Sequence, residues 1–255
     1  MAGLAPIEGI VVGAHGFGEA NRVVTLLSAE LGRIALVVYR ARAAKSGWPP
    51  LLQVGNRLRV QRRRGRGELD VAQSADLLAG PKVARHDVDR LALLAYGCEL
   101  CAALAPTAHP APRLARLLEV LGEVLEAPQE GPPGEGVRVA LEAKALTFAG
   151  LAPRLVQCAR CGGRIDDPAA FDPESGGAVH ARCGLGRHVD ATSLLRIEAL
   201  RRTPLAQLWS DHAGAHPWLL ADFAQHHLRR ALRSREVLVQ LGNPLQGLES
   251  GPGER

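Results

Sequence analysis

Residues 57–72 read Arg57-Leu58-Arg59-Val60-Gln61-Arg62-Arg63-Arg64-Gly65-Arg66-Gly67-Glu68-Leu69-Asp70-Val71-Ala72. Leu58 and Val60 alternate with Arg57, Arg59 and Gln61. Past the glycines, Leu69 and Val71 alternate with Glu68, Asp70 and Ala72. A period of two puts one face in a core and the other in water, so the stretch predicts a β-hairpin that turns at Gly65 and Gly67. Arg57, Arg59 and Gln61 then fall on the outer face, and Arg62, Arg63, Arg64 and Arg66 gather at the tip.

Toward the N-terminus, Ile7, Ile10, Val11 and Val12 predict a strand broken by a glycine turn over residues 13–18. Val23, Val24, Leu26 and Leu27 lead through Glu30-Leu31-Gly32 into Ile34, Leu36, Val37 and Val38, a second hairpin by spacing and residue type. Five short strands carrying a basic hairpin point to a small OB-fold barrel, with an SH3-like barrel as the alternative that strand count leaves open.

Charge follows the same division. Residues 1–80 hold 11 Lys and Arg against 6 Asp and Glu, and the rest of the chain holds 20 of each. Within residues 40–66 stand Arg40, Arg42, Lys45, Arg57, Arg59, Arg62, Arg63, Arg64 and Arg66, with no acid among them. A face kept only for solubility would intersperse both signs. This field attracts a polyanion through phosphate pairing and counterion release, and nucleic acid is the leading partner class. Aromatic residues make up only 4% of the chain, so such a surface is expected to rely on charge more than on base stacking.

Pro81 opens a change of composition from β-branched residues to leucine and alanine, and a boundary is expected near residue 80. Leu91, Leu94, Leu100 and Leu104 give one helical stripe, stopped by Pro106 and Pro110. Leu114, Leu117, Leu118, Leu121 and Leu125 give a second. A Pro- and Gly-rich loop over 128–136 precedes a third helix at 137–149, closed by Gly150 and Pro153. Leu194, Leu195, Ile197 and Leu200 mark another. Thr203-Pro204 predicts the start of a short one, with Thr203 as its cap. A last long helix is expected through Leu219, Leu220, Phe223, His227, Leu228 and Leu232, and residues 242–255 read as a disordered tail.

Between the third and fourth of these helices lies Cys158-Ala159-Arg160-Cys161-Gly162-Gly163, followed by Gly176-Gly177-Ala178-Val179-His180-Ala181-Arg182-Cys183. Two cysteines two residues apart and followed by glycine fold into a knuckle whose thiolates meet one ion. His180 and Cys183 repeat the spacing, which makes Cys158, Cys161, His180 and Cys183 a candidate structural zinc site. His188 is the alternative fourth ligand. The intervening Asp166, Asp167, Pro168, Asp172, Pro173 and Ser175 are turn formers with no period that builds a core. Cys98 and Cys101 also read CxxC, but in a helical stripe without a following glycine, where core packing is the better account. A zinc-dependent deaminase would place a glutamate two residues after its histidine; Ala181 and Arg182 follow His180, so that chemistry lacks its base.

At 255 residues, 47% apolar and 22% charged, the chain suits two domains or one large one and excludes disorder as the main state. No run approaches a membrane span and the N-terminus lacks a secretory signal pattern, so a cytoplasmic protein is expected. Five cysteines, an odd number, suit a reducing compartment.

The chain resembles the bacterial DNA repair family RecO. The resemblance rests on Gly16-Phe17-Gly18-Glu19-Ala20-Asn21-Arg22 and the Glu30-Leu31-Gly32 turn, on Phe148-Ala149-Gly150-Leu151-Ala152-Pro153 ahead of Cys158, on Phe171-Asp172-Pro173-Glu174-Ser175-Gly176-Gly177 ahead of Cys183, and on Leu232-Arg233-Ser234. These matches run in order over nearly the whole chain. The family usually has Cys in place of His180 and often Asp in place of Asn21. The resemblance implies an α+β protein: an N-terminal five-stranded OB-fold β-barrel (residues 1–80), an α-helical domain (81–241) and an inserted zinc-finger segment (154–190). It also implies a non-enzymatic, nucleoid-associated protein that binds single- and double-stranded DNA and anneals complementary strands. RecR, RecF and single-strand-binding protein are its implied partners in loading the recombinase. A zinc-stabilised RNA-binding or protein-adaptor OB-fold protein is the alternative.

Overall fold

In a computed structural model, which describes residues 3–43, 45–65, 67, 69–212 and 218–242, five strands close a barrel. They are β1 (Gly3–Phe17), β2 (Asn21–Ser28), β3 (Gly32–Val38), β4 (Arg57–Arg63) and β5 (Asp70–Ala79). The order β1-β2-β3-β5-β4 returns to β1, and only the β3–β5 contact is parallel. That is the five-stranded Greek-key arrangement of an OB-type barrel. Its interior is filled by Val11, Val24, Leu26, Leu36, Val38, Leu58, Val60 and Ala72. A short helix that the sequence did not announce, α1 (Trp48–Leu51), leads to Leu52, and together they plug one mouth.

Three strand details depart from expectation. β1 is not broken at Gly13: it passes from β4 to β2 at Ile10, which pairs with both, bulges between Val11 and Gly13, and runs on to Phe17. A second irregularity between Gln61 and Arg62 shifts the β4–β5 register. In consequence Ala72, not Val71, joins the barrel interior, because a one-residue slip exchanges the two faces. Arg62 and Arg63 consequently lie within β4 rather than at the tip, and Arg66 falls outside the described residues.

The helices are α2 (Val88–Leu104), α3 (Pro112–Glu126), α4 (Glu135–Phe148), α5 (Ala191–Arg202), α6 (Leu219–Leu228) and α7 (Arg233–Gly242). α4 is buried on almost every side. Its Arg138 and Glu142 pair at 2.8 Å, and the Tyr96 hydroxyl of α2 donates to Glu142 at 2.8 Å, so each buried polar group there has a partner. Cys98 and Cys101 of α2 are fully buried in the same core. The expected last helix is two, α6 and α7, parted at Arg229, whose φ of 51° no α-helix continues through. The short helix expected at Thr203-Pro204 is a 3-10 turn, Leu205–Gln207, capped by Pro204, while Thr203 closes α5 instead, its amide and its hydroxyl both donating to the Ala199 carbonyl.

Barrel and helices share contacts. Ile10 and Leu27 of the barrel belong to the helical core. Arg33 of β3 donates to Ala102 O and to Thr107 Oγ1. Gly32, at φ 60°, lets the β2–β3 turn lie so close to the α2–α3 loop that a Cβ would stand 2.1 Å from the His109 carbonyl. No described helix is long and apolar enough to cross a membrane.

Candidate nucleic-acid interface and metal centre

The nine cations of residues 40–66 have no acid between them in sequence, but strand pairing brings acids to several. β1 pairs Glu8 opposite Arg59. The Glu8 carboxylate accepts from Arg59 Nη2 at 2.7 Å and from Arg57 Nη2 at 3.0 Å. The Arg59 hydrogen bond is the largest influence on the Glu8 carboxyl; burial opposes it, and with the Arg57 hydrogen bond and the charge of both guanidiniums the carboxyl is held below the usual range. Arg57 also reaches Glu119 of α3 at 3.5 Å. Asp70, at the start of β5, takes Arg62 at 2.6 Å and Arg64 at 3.5 Å.

A different set is left uncommitted. Among the described residues no carboxylate stands within ion-pair distance of Arg22, Arg40, Arg42, Lys45 or Arg63. All but Lys45 are placed by the strand ends and turns. Asn21 Oδ1 accepts the Arg40 amide at 2.9 Å and holds Arg40 at φ 53°. The Arg42 amide donates to Ala20 O at 3.0 Å. Asn21 therefore stitches the β1–β2 turn to the chain leaving β3, a role an aspartate at this place would also fill. Phe17 and Tyr39, 51% and 52% exposed, stand at the same end. Sequence reasoning passed over both, since a single exposed aromatic carries no periodic signal.

The metal-centre candidates do meet. The ligand atoms of Cys158, Cys161, His180 and Cys183 lie within 4.8 Å of one another. The knuckle turns as glycine allows: Gly162 has φ 76°, and its amide donates to Cys158 O at 2.9 Å. His180 sits on β7 (Gly177–His180), which pairs with β6 (Ala169–Asp172). β8 (Arg187–Val189) completes this small sheet. The expectation that the segment builds no core is thereby corrected: all four β6 residues are buried, and Phe171 meets Phe223 of α6 edge-on at 5.6 Å. A short apolar Ala169-Ala170-Phe171 run between prolines is too brief to show a period, and tertiary burial decides it.

His180 Nδ1 stands 3.4 Å from Cys161 Sγ and 3.6 Å from Cys183 Sγ. Its Nε2 faces Arg164 O at 2.9 Å and Asp166 Oδ1 at 3.2 Å, the outer partners that orient a ligating imidazole. His188 is exposed on β8 and lies outside the cluster. Burial pushes the Cys158 thiol up, but amide hydrogen bonds from Cys161, His180 and Arg160 prevail and hold it at about 6. Cys183 is pushed up by burial and by the Cys161 and Cys158 sulfurs beside it. Thiolates on one zinc ion, each about 2.3 Å from it, stand about 3.8 Å apart. Three sulfurs and one imidazole nitrogen within 4.8 Å of one another are close enough to fit Zn2+, whose charge relieves their crowding.

Comparison with known proteins agrees with this anatomy. The chain matches the family model for the recombination protein O N terminal region over residues 1–81 and that for its C terminal region over residues 85–236. It is 34% identical to the DNA repair protein RecO of Myxococcus xanthus, over 92% of this chain and 97% of the relative. Identity to the protein of that name from Anaeromyxobacter dehalogenans is 34%, over 95% and 98%. For Pelobacter propionicus it is 32%, over 94% and 98%. With a closed barrel, a helical body and a Cys3His cluster in that order, the chain belongs to the RecO family of DNA repair proteins.

Proposed function

We propose that the protein is a non-enzymatic recombination mediator that binds single- and double-stranded DNA through its barrel and anneals complementary strands. The observation that carries this reading is the group of cations without acidic partners among the described residues, at the strand ends and turns of the barrel. Two strands approach each other against phosphate repulsion, and Arg22, Arg40, Arg42, Lys45 and Arg63 would screen it without reading sequence. Arg57, Arg59, Arg62 and Arg64, held by Glu8 and Asp70, contribute less until a phosphate displaces the carboxylate.

In this division of labour residues 1–80 carry the nucleic acid, and residues 81–241 form the platform, with the finger of residues 154–190 set into it. Cys158, Cys161, His180 and Cys183 hold a structural Zn2+, which crosslinks the knuckle to β7. The family resemblance extends the reading to RecR, RecF and single-strand-binding protein as partners in loading the recombinase, in the cytoplasm at the nucleoid.

The test is fluorescence anisotropy of a labelled single strand across a salt series. Each phosphate contact contributes about 0.7 to the slope of log affinity against log salt. Changing Arg40, Arg42 and Lys45 together to Ala should flatten the slope by about 2, and changing Arg57 and Arg59 should flatten it less. Complementary strands should anneal faster with the wild type than with the triple variant. Absence of binding, or a slope indifferent to the triple change, refutes the reading. Stronger competition by RNA than by DNA would move the function to RNA.

A further inference from the structure

We propose that Phe17 and Tyr39 form a stacking platform for unpaired bases, which makes this end of the barrel a single-strand site and not only a track for phosphates. The inference rests on the nucleic-acid reading above and adds to it a contact that duplex cannot make. Phe17 pairs with Asn21 across β1 and β2, and Arg22 pairs with Val38 across β2 and β3. Tyr39, one residue beyond Val38, thus falls in the row of Phe17 and Asn21, on the same face of the barrel. One strand lies between the two rings, which separates their backbones by about 10 Å.

Three observations favour a base as the occupant. Phe17 and Tyr39 stand in one row as a pair and are the most exposed Phe and Tyr in the described residues, since Phe171, Phe223 and Tyr96 are buried and Phe148 is 37% exposed. In the row behind them Val23 and Val37 are buried and His15, behind Phe17, is exposed, so the floor is apolar from β2 to β3 and carries an imidazole on β1. Arg40, which follows Tyr39 in the chain, and Arg22 and Arg42 at the same strand ends have no carboxylate partner among the described residues, Arg22 lying in the row of the interior Val38 and so on the other face of β2 from the rings. An apolar protein ligand has no use for cations at this rim, whereas a nucleotide offers a ring and a phosphate together.

The platform is also braced. Asn21 between the rings holds the Arg40 amide, and Ala20 O holds the Arg42 amide, so little ordering remains to be done on binding. A base laid face-on against a ring keeps its Watson–Crick edge free, which is what annealing needs from a bound strand. In a duplex both faces of each base are already stacked.

Binding of three probes tests this: an oligothymidylate, an abasic deoxyribose-phosphate strand of the same length, and a duplex. Wild type should bind the oligothymidylate at least about tenfold more tightly than the abasic strand, the worth of one stacked base. The variant Phe17→Ala with Tyr39→Ala should bind both strands alike and keep its duplex affinity, while Phe17→Tyr with Tyr39→Phe should restore the preference. A wild type indifferent to bases, or an alanine variant that keeps the preference, overturns the proposal. Failure of wild type to bind any of the three would instead sink the nucleic-acid reading on which it rests.

Discussion

Glu8 is the residue whose neutralisation separates cations that are present from cations that are available. It accepts hydrogen bonds from both Arg57 and Arg59, and its side chain is 39% exposed. Glu8→Gln keeps the shape and removes the charge. Ion pairs this exposed contribute under about 1 kcal/mol to folding, so the melting temperature should hardly move. The effect on DNA should be larger. Each guanidinium newly free to meet a phosphate adds about 0.7 to the salt slope, and extrapolated from molar salt to a tenth of that, each tightens binding about fivefold. Two freed arginines on one face set the range: a slope steeper by about 0.7 to 1.4 and a Kd lower by about 5- to 25-fold at 0.1 M salt. Anisotropy on a single strand, with Glu8→Gln beside wild type, reads both quantities. If slope and Kd are unchanged, Arg57 and Arg59 do not meet the nucleic acid, and their place is structural, in the pairing with Glu8 and, for Arg57, in the joint with Glu119 of α3. The reserve role given to them would then be wrong.

Thiol titration checks the metal centre and the core together. With a chelator present, Ellman's reagent should titrate Cys158, Cys161 and Cys183 in the folded chain, and one zinc per chain should appear in the filtrate. Cys98 and Cys101 should stay silent until the protein is unfolded, because they are fully buried and burial pushes the Cys98 thiol up to about 12. Reaction of all five without denaturant would contradict the packing of α2. A third prediction concerns Glu126, whose carboxylate accepts the amides of Lys82, Val83 and Ala84 where the chain leaves the barrel. Burial raises its pKa, but those amides lower it further, and the result lies below the ordinary value. A depressed folded pKa gives stability that is present above the unfolded value of about 4.3 and is lost as pH falls through the folded one. Glu126→Gln should therefore cost about 1–2 kcal/mol at neutral pH and much less near pH 3, by urea denaturation; an equal cost at both would remove the charge from the explanation.

How much of this was legible beforehand follows from how far each interaction reaches along the chain. The knuckle was legible because both cysteines and the glycine that turns between them and β7 lie within one short segment, and the amphipathic stripe of α3 was legible because its period is local. The cation run was legible too, but only as composition. Its division into held and available charges was not, since Glu8 is 49 residues from Arg57 and 51 from Arg59. That pairing exists only once β1 lies antiparallel to β4. The same holds for the interior of β5, where one register irregularity moves Ala72 inward, and for β6, which becomes a strand by pairing with β7 and β8 and buries Phe171 against α6. Phe17 and Tyr39 are 22 residues apart in the chain and share a row only because β2 lies between them. A binding surface made of such pairings is set by topology: local sequence supplies the cations and rings, and the closure of the barrel decides which of them a DNA strand can reach.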